Sequence, residues 1–252
     1  MVEVSKPHAS RDWHDKCEAR GTMENHAAPS REEQTVELLV FLFLIVPSIV
    51  LSLFFTFGTA QTGFVVVAVS TIFRDLALVS LIAFFLWRNG ESPVRIGWTD
   101  SSLWSNLILG ALLFPVVLVG AAALETLLRS LGLSGLPQVT PPFLLPHGAA
   151  EIALAMILVI VVAVSEETIF RGYMIARMAG TTGSIPFAVL LSSAIFALGH
   201  GYEGTAGLVT VGALGLVFAL LYVWRRSLVA PIVIHFLNDF VGLVLLPLLG
   251  GA

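Results

Sequence analysis

Six polar residues in the last hundred positions have the side-chain types that peptide hydrolysis requires. They are two adjacent glutamates with an arginine, a single histidine, and a histidine followed by an aspartate: Glu166, Glu167, Arg171, His200, His235 and Asp239. Hydrolysis of a peptide bond needs an activated water and a polarised carbonyl, and positioned carboxyl and imidazole groups transfer the protons. The residue types therefore indicate general acid–base chemistry.

The spacing of these residues gives each group a geometry if the chain around it is helical. Glu167 and Arg171 are four residues apart in the acid-first order, which favours an ion pair along one helix face. Glu166 is rotated from Glu167 by about 100° and therefore faces a different neighbour. His235 and Asp239 are also four apart and share a face.

All of these residues lie in or beside strongly apolar stretches, where an ionisable side chain is costly and indicates function. Hydrophobic residues make up 57% of the 252 positions and charged residues 12%, and the mean hydropathy is +0.92. A soluble domain usually contains about a quarter charged residues. The composition therefore predicts a membrane protein, with the lipid bilayer as its solvent and no basic patch for nucleic acid.

Apolar segments of spanning length recur along the chain, since a membrane helix needs about 20 such residues. The predicted spans are Val36–Phe57, Phe64–Trp87, Leu103–Leu124, a helix from Ala149 that continues through Met178, the short Ile185–Leu198, Ala206–Trp224 and Leu228–Leu249. We expect an all-α fold: a polytopic transmembrane helical bundle of about seven spans, with the catalytic core in the last four.

Polar and Pro-rich segments divide the chain into three parts. Twelve of the thirty Asp, Glu, Lys and Arg residues fall in residues 1–35, which predicts a solvated, disordered tail. Residues 36–148 contain the first three spans and a connection, Arg129–Gly148, whose four prolines prevent a regular helix. Residues 149–252 contain the catalytic helical core.

The arginines in the short connections predict the orientation in the membrane. If the N-terminus is cytoplasmic, the inner connections hold Arg88, Arg95, Arg171, Arg177, Arg225 and Arg226, and the outer ones hold Arg129. We therefore expect a cytoplasmic N-terminus and a C-terminus on the far side. In a prokaryotic cell the membrane would be the plasma membrane.

The three polar groups, taken in order, resemble the motifs of the CPBP intramembrane proteases, a family that includes type II CAAX prenyl endopeptidases and bacteriocin-processing Abi proteins. The first motif, Glu-Glu-x-x-x-Arg, is matched by Glu166, Glu167 and Arg171. The second, Phe-x-x-x-His, is matched by Phe196 and His200. The third, His-x-x-x-Asn or Asp, is matched by His235 and Asp239. The resemblance extends over about Ala149–Leu249.

The resemblance implies roles for these residues. Glu166 would be the general base that activates a water, His200 would help to hold that water, and His235 would stabilise the oxyanion together with the residue at 239. Glu167 and Arg171 would form a supporting ion pair, with Phe196 and Asn238 as further supporting residues. Well-characterised members have Asn at the last position, whereas this chain has Asp239. Because an ionised Asp cannot donate a hydrogen bond, we expect Asp239 to orient His235 or to bind a cation instead.

The metal requirement stays open at the level of sequence. Glu166, His200, His235 and Asp239 could together bind zinc with an open position for water, and the family resemblance is compatible with metalloprotease and metal-free glutamate mechanisms. We favour the metal-free mechanism. The N-terminal Cys17, with His8, His14 and His26, shows no spacing typical of a metal site. The resemblance implies a peptide or lipidated protein as substrate, either a prenylated C-terminal CAAX peptide or a short secreted peptide, and the sequence does not select between them.

Two alternatives come from other functional classes. Buried acids and histidines also occur in proton- or cation-coupled carriers, although no inverted repeat is visible here. A non-catalytic immunity or scaffold protein is the second alternative. Outside the motifs, Arg74 and Asp75 lie midway along the second predicted span. We expect a structural role, in which they extend to a neighbouring helix or pair with each other through water. Because adjacent residues on a helix do not face each other, separate partners on other helices are favoured. A contribution to substrate entry is the remaining possibility.

Overall fold

The computed structural model describes residues 29–55, 63–99, 102–133 and 145–250. These residues form helices and connecting turns, and the described ranges contain no β-strand. The all-α fold expected from the sequence is therefore confirmed. The predicted tail, apart from its last residues, and most of the Pro-rich connection after Arg129 lie outside the described residues.

The helices follow the order of the apolar segments in the sequence. We number them α1 (Arg31–Phe55), α2 (Phe64–Arg88), α3 (Leu103–Ser130), α4 (Gly148–Glu166), α5 (Ile175–Thr182), α6 (Ile185–Leu198), α7 (Gly204–Arg225), α8 (Val229–Phe240) and α9 (Leu246–Gly250). Two π-helices, π1 (Glu167–Met174) and π2 (Val241–Leu245), join α4 to α5 and α8 to α9. Short 3-10 turns occur at Pro93–Ile96 and Gly201–Glu203.

Five described helical segments are long and apolar enough to cross a membrane: Phe64–Arg88, Leu103–Ser130, Gly148–Thr182, Gly201–Arg225 and Val229–Leu249. Helix α6 is apolar but has only 14 residues. The outer face of α3 exposes Leu112, Val116 and Val119 by 67–70%, as expected of side chains in contact with lipid. The helical membrane bundle is thus confirmed, whereas the count of seven spans stays a prediction.

Helix α1 begins at Arg31, before the predicted start of the first span, because a capping box satisfies its first backbone donors. The Ser30 backbone N–H donates to Oε2 of Glu33 (2.7 Å), and the Glu33 N–H donates to Oγ of Ser30 (3.2 Å). Such reciprocal bonds fix a helix start. The hydrogen bond from Ser30 lowers the pKa of Glu33.

The packing of α8 brings the C-terminal motif into the centre of the bundle. Helix α8 lies against α3 and α4, while α6 packs on α7 and α2 packs on α4. The contact between α3 and α8 is close: a Cβ added at Gly110 would lie 2.9 Å from the carbonyl oxygen of Ala230. Only glycine permits this approach, and His235 follows Ala230 by five residues on the same helix.

A buried ion cluster ties α1 to α5 and to the turn after α2. Arg177 donates to Oε2 of Glu37 (3.0 Å) and to both oxygens of Glu91. Glu37 also accepts from Arg88 (2.7 Å) and from the hydroxyl of Tyr173 (3.0 Å). Glu37 and Arg177 are 1% and 4% exposed. These interactions join the first two helices to the C-terminal core.

Two of the arginines used to predict the orientation in the membrane do not lie in connections. Arg171 and Arg177, which the sequence assigned to inner connections, are buried within helical segments. The arginine asymmetry in connections therefore depends on the remaining residues Arg88, Arg95, Arg225 and Arg226. The orientation itself stays a prediction.

Candidate active site

The first motif lies at the junction of α4 and π1. Glu166 is the last residue of α4, and Glu167 and Arg171 lie in π1. A π-helix makes i→i+5 hydrogen bonds, is rare, and often occurs at functional sites. The wider π turn changes the direction of the side chains that follow α4. The helical character expected through this segment is confirmed, but part of it is a π-helix, which the sequence did not predict; the i,i+4 pair of Glu167 and Arg171 is kept.

Glu167 bridges the first and third motifs. Its Oε1 accepts from Nη1 of Arg171 (2.8 Å) and lies 2.7 Å from Nδ1 of His235. Because an ionised carboxylate can only accept, Nδ1 of His235 carries the proton in this contact. Glu167 is 0% exposed and Arg171 1% exposed. The predicted pair of Glu167 and Arg171 is confirmed, and it also orients His235.

Aromatic rings enclose the guanidinium of Arg171. Its Cζ lies 4.2 Å from the ring centroid of Phe196 and 5.2 Å from that of Phe218. Its Nη2 is 3.4 Å from the carbonyl oxygen of Gly215. Cation–π contacts stabilise a desolvated guanidinium, so the cation can stay buried. Phe196, the first residue of the second motif, thus contacts Arg171 of the first motif directly.

The two carboxylate oxygens of Glu166 have different surroundings. Oε1 lies 3.6 Å from Nη2 of Arg74, and Oε2 lies 3.9 Å from Nε2 of His235. Glu166 is 8% exposed, and its Oε2 is a buried atom without a hydrogen-bond partner among the described residues. A buried carboxylate oxygen without a partner is costly, and such groups occur where a reactant binds. Glu166 and Glu167 therefore face different arginines, Arg74 and Arg171, but both approach His235.

A carboxylate lies close to each ring nitrogen of His235. Glu167 approaches Nδ1, while Oδ2 of Asp239 lies 3.4 Å from Nε2. The shorter contact identifies Glu167 as the main group that orients the His235 ring. From the sequence we expected Asp239 to have this role. The side chain of Asp239 is 22% exposed. Asn238, the predicted supporting residue, is partly buried, and its supporting role stays a prediction.

His200 lies just beyond the end of α6 rather than within it. Its Nδ1 is 3.0 Å from the carbonyl oxygen of Phe196, which only accepts, so Nδ1 carries the proton and Nε2 offers a lone pair. The ring of His200 lies 4.8 Å from the ring of Phe196, and Phe196 meets His235 edge-on at 6.1 Å. Phe196 therefore lies between the two histidines. The described contacts of His200 do not include Glu166.

Arg74 and Asp75 of α2 belong to the same cluster, which the sequence did not predict. Nε and Nη2 of Arg74 both lie 2.8 Å from Oδ1 of Asp75, and the guanidinium also approaches Glu166. Of the expected arrangements, the structure contains the mutual pair, made directly rather than through water, and for Arg74 also a partner on another helix. A charged pair midway along a span was the available signal, since intramembrane charges indicate function.

The donors proposed for zinc do not form a metal site in this conformation. Among the described residues, no group of three or more His, Cys, Asp or Glu side chains is arranged to hold a metal ion. His235 already uses Nδ1 for Glu167, and His200 makes its described contacts with residues of its own segment. The N-terminal cysteine and histidines lie outside the described residues.

The site residues of all three motifs fall within one family match. Residues 148–241 match the protein-family model described as Type II CAAX prenyl endopeptidase Rce1-like, and this region is well under half of the 252 residues. The match confirms the resemblance drawn from the motifs. Searches of curated proteins and of solved structures gave no match. Arg74 and Asp75 lie outside the matched region.

Proposed function

We propose that this protein is an intramembrane endopeptidase that uses Glu166 as a general base. The observation that carries the proposal is the pair of facing atoms Oε2 of Glu166 and Nε2 of His235, 3.9 Å apart. A water placed beside both atoms would be within hydrogen-bond distance of each. Because Oε2 has no protein partner among the described residues, such a water would satisfy it.

Hydrolysis would then proceed through a tetrahedral intermediate. Glu166 takes a proton from the water, whose oxygen attacks the scissile carbonyl carbon. His235, protonated on both ring nitrogens in this scheme, donates a hydrogen bond from Nε2 to the oxyanion that forms. Collapse of the intermediate breaks the C–N bond, and the proton on Glu166 passes to the leaving amine. Each proton transfer is within the reach of a positioned side chain.

The neighbouring residues prepare these groups rather than react. Glu167 fixes the ring of His235 through Nδ1, and Arg171 balances the charge of Glu167. Asp239 lies near Nε2 and, lacking a proton when ionised, would compete with an oxyanion for the same donor. His200, with Nε2 as an acceptor, would hold the substrate or the water from the side of Phe196.

The proposed substrate is a membrane-associated polypeptide, in particular a prenylated CAAX-type protein. This class follows from the family match and from a site on apolar helices, where a lipidated chain would reach it from the bilayer. We propose that the N-terminus is cytoplasmic, and that a prokaryotic cell would hold the protein in its plasma membrane.

The test is cleavage of a farnesylated CAAX peptide by the purified protein in proteoliposomes. Glu166→Gln keeps the size of the side chain but removes the base, so we expect cleavage to fall by about 10³-fold or more. Glu125→Gln, at a partly exposed acid of α3, is the matched control and should leave cleavage unchanged. Equal cleavage by wild type and Glu166→Gln would refute the assignment. Proton uptake coupled to a substrate and lost in Glu166→Gln would favour a carrier instead.

A further inference from the structure

The second helix contributes an ion pair to the site although it lies outside the family match. Asp75 is 1% exposed, and its Oδ1 accepts from Nε and Nη2 of Arg74, both at 2.8 Å. Nη2 of the same arginine lies 3.6 Å from Oε1 of Glu166 on α4. One guanidinium therefore connects a buried acid of α2 with the proposed general base.

This pairing is unusual for neighbours in a helix. Adjacent side chains leave a helix about 100° apart, so Arg74 must turn back toward Asp75 to make both contacts. The side chain of Arg74 is 41% exposed, whereas that of Asp75 is buried. Asp75 lies on the face of α2 that packs toward α4. The buried carboxylate thus draws the guanidinium toward Glu166 rather than toward the membrane surface.

The guanidinium gives the two oxygens of Glu166 different functions. A cation at Oε1 favours the carboxylate rotamer in which Oε1 points to α2 and Oε2 points to His235. In that rotamer the unpartnered Oε2 is the oxygen that faces Nε2 of His235. Arg171 cannot be the cation at Oε1 of Glu166, because it is 1% exposed and already bound to Glu167 and the carbonyl oxygen of Gly215.

We propose that Arg74, held by Asp75, is a positioning residue that aims the Oε2 atom of Glu166 at the water-binding position. The proposal rests on the proposed function of Glu166. It extends the catalytic machinery from the matched region to α2, and it explains why an arginine and an aspartate lie in the middle of a spanning helix. Arg74 does not touch the reacting atoms in this scheme.

Kinetics in proteoliposomes test the positioning role. Arg74→Gln should lower kcat by about 10–100-fold, since a small misplacement of a catalytic group has such an effect, while KM stays within about twofold. Arg74→Lys keeps the charge and should recover part of the loss. Arg88→Gln is the matched control, because Arg88 lies on the same helix, is 46% exposed, and pairs with the buried Glu37. Its kcat should be unchanged.

The role of Asp75 predicts non-additive kinetics. Asp75→Asn should lower kcat less than Arg74→Gln, because the guanidinium keeps its attraction to Glu166. The double variant Arg74→Gln/Asp75→Asn should be no slower than Arg74→Gln alone, as residues that act as a unit are non-additive. Unchanged kcat in Arg74→Gln, or a change confined to KM, would overturn the proposal. So would additive losses in the double variant.

A stability cycle tests the contact without any peptidase assay. In detergent, Arg74→Gln should lower the melting temperature by roughly 3–8 °C, since it leaves two buried carboxylates without their cation. The same substitution in a Glu166→Gln background should lower it clearly less. Equal losses in both backgrounds would overturn the proposal even if no substrate were cleaved. Equal cleavage by wild type and Glu166→Gln would refute the role of Glu166 as the base, whereas the stability cycle tests the contact between Arg74 and Glu166 directly, so the two failures can be told apart.

Discussion

The Nδ1 atom of His235 lies 2.7 Å from the Oε1 atom of Glu167. This contact links α8, which carries the third motif, to π1, which carries part of the first. It leaves Nε2 of the ring pointing at Glu166 and Asp239. Glu167 therefore binds both His235, the proposed oxyanion donor, and Arg171, which balances the charge of Glu167.

The first prediction concerns this double role of Glu167. Glu167→Gln leaves the buried cation of Arg171 without a counter-charge, which typically costs about 3–5 kcal/mol. It also weakens the hydrogen bond that holds His235, so kcat should fall by about 10-fold or more in the same cleavage assay. Calorimetry in detergent and initial rates would measure the two effects.

The control for Glu167→Gln is the same residue pair in a different environment. Glu125 and Arg129 are also four apart in the acid-first order, but their side chains are 36% and 29% exposed. Exposed pairs contribute about 0–1 kcal/mol, so Glu125→Gln should change stability little and leave kcat unchanged. Similar losses of stability in both variants would contradict the buried role of Glu167.

The second prediction concerns the close approach of α3 and α8. Gly110→Ala would place a methyl group 2.9 Å from the carbonyl oxygen of Ala230 and 2.8 Å from Cβ of Val233. Because backbone cannot move aside cheaply, we expect a loss of about 1–3 kcal/mol and lower activity, as α8 carries His235. Gly120, on the same helix, has open space around it. Gly120→Ala should be neutral or slightly stabilising, and an equal effect of both changes would contradict the packing.

The third prediction concerns the ion cluster that joins α1 to the core. Arg177→Met removes the cation shared by Glu37 and Glu91, and we expect a loss of about 3–5 kcal/mol because both acids stay buried. Arg88→Met removes a half-exposed partner of the same Glu37 and should cost about 1 kcal/mol or less. Thermal unfolding of the two variants compares them directly. A larger loss for Arg88→Met than for Arg177→Met would contradict the assignment of Arg177 as the centre of the cluster.

The fourth prediction concerns metal dependence. Because the proposed base is a glutamate and no step is assigned to a metal, incubation with a zinc chelator should leave cleavage within about twofold of the untreated protein. The readout is the initial rate before and after chelation, followed by added zinc. Loss of activity that zinc restores would replace the glutamate mechanism with one in which a metal activates the water.

The sequence by itself determined the class of fold and the local pairs. Apolar segments of spanning length require helices in lipid, since every backbone polar group must be satisfied within the segment. Spacing of four residues places Glu167 beside Arg171 and His235 near Asp239 whatever the surrounding fold, because the helical repeat brings these side chains to one face. The three motifs also predicted the family match.

Only the tertiary structure decided which groups meet across helices. The contacts of Glu167 with His235 and of Glu166 with Arg74 depend on how α8 and α2 are rotated against α4, and spacing along one helix carries no information on that rotation. The π-helix after Glu166 adds a change of direction that a regular repeat does not predict. Asp75, buried against α4, turns Arg74 toward the site, so a pair that looked structural in the sequence became part of the proposed catalytic machinery.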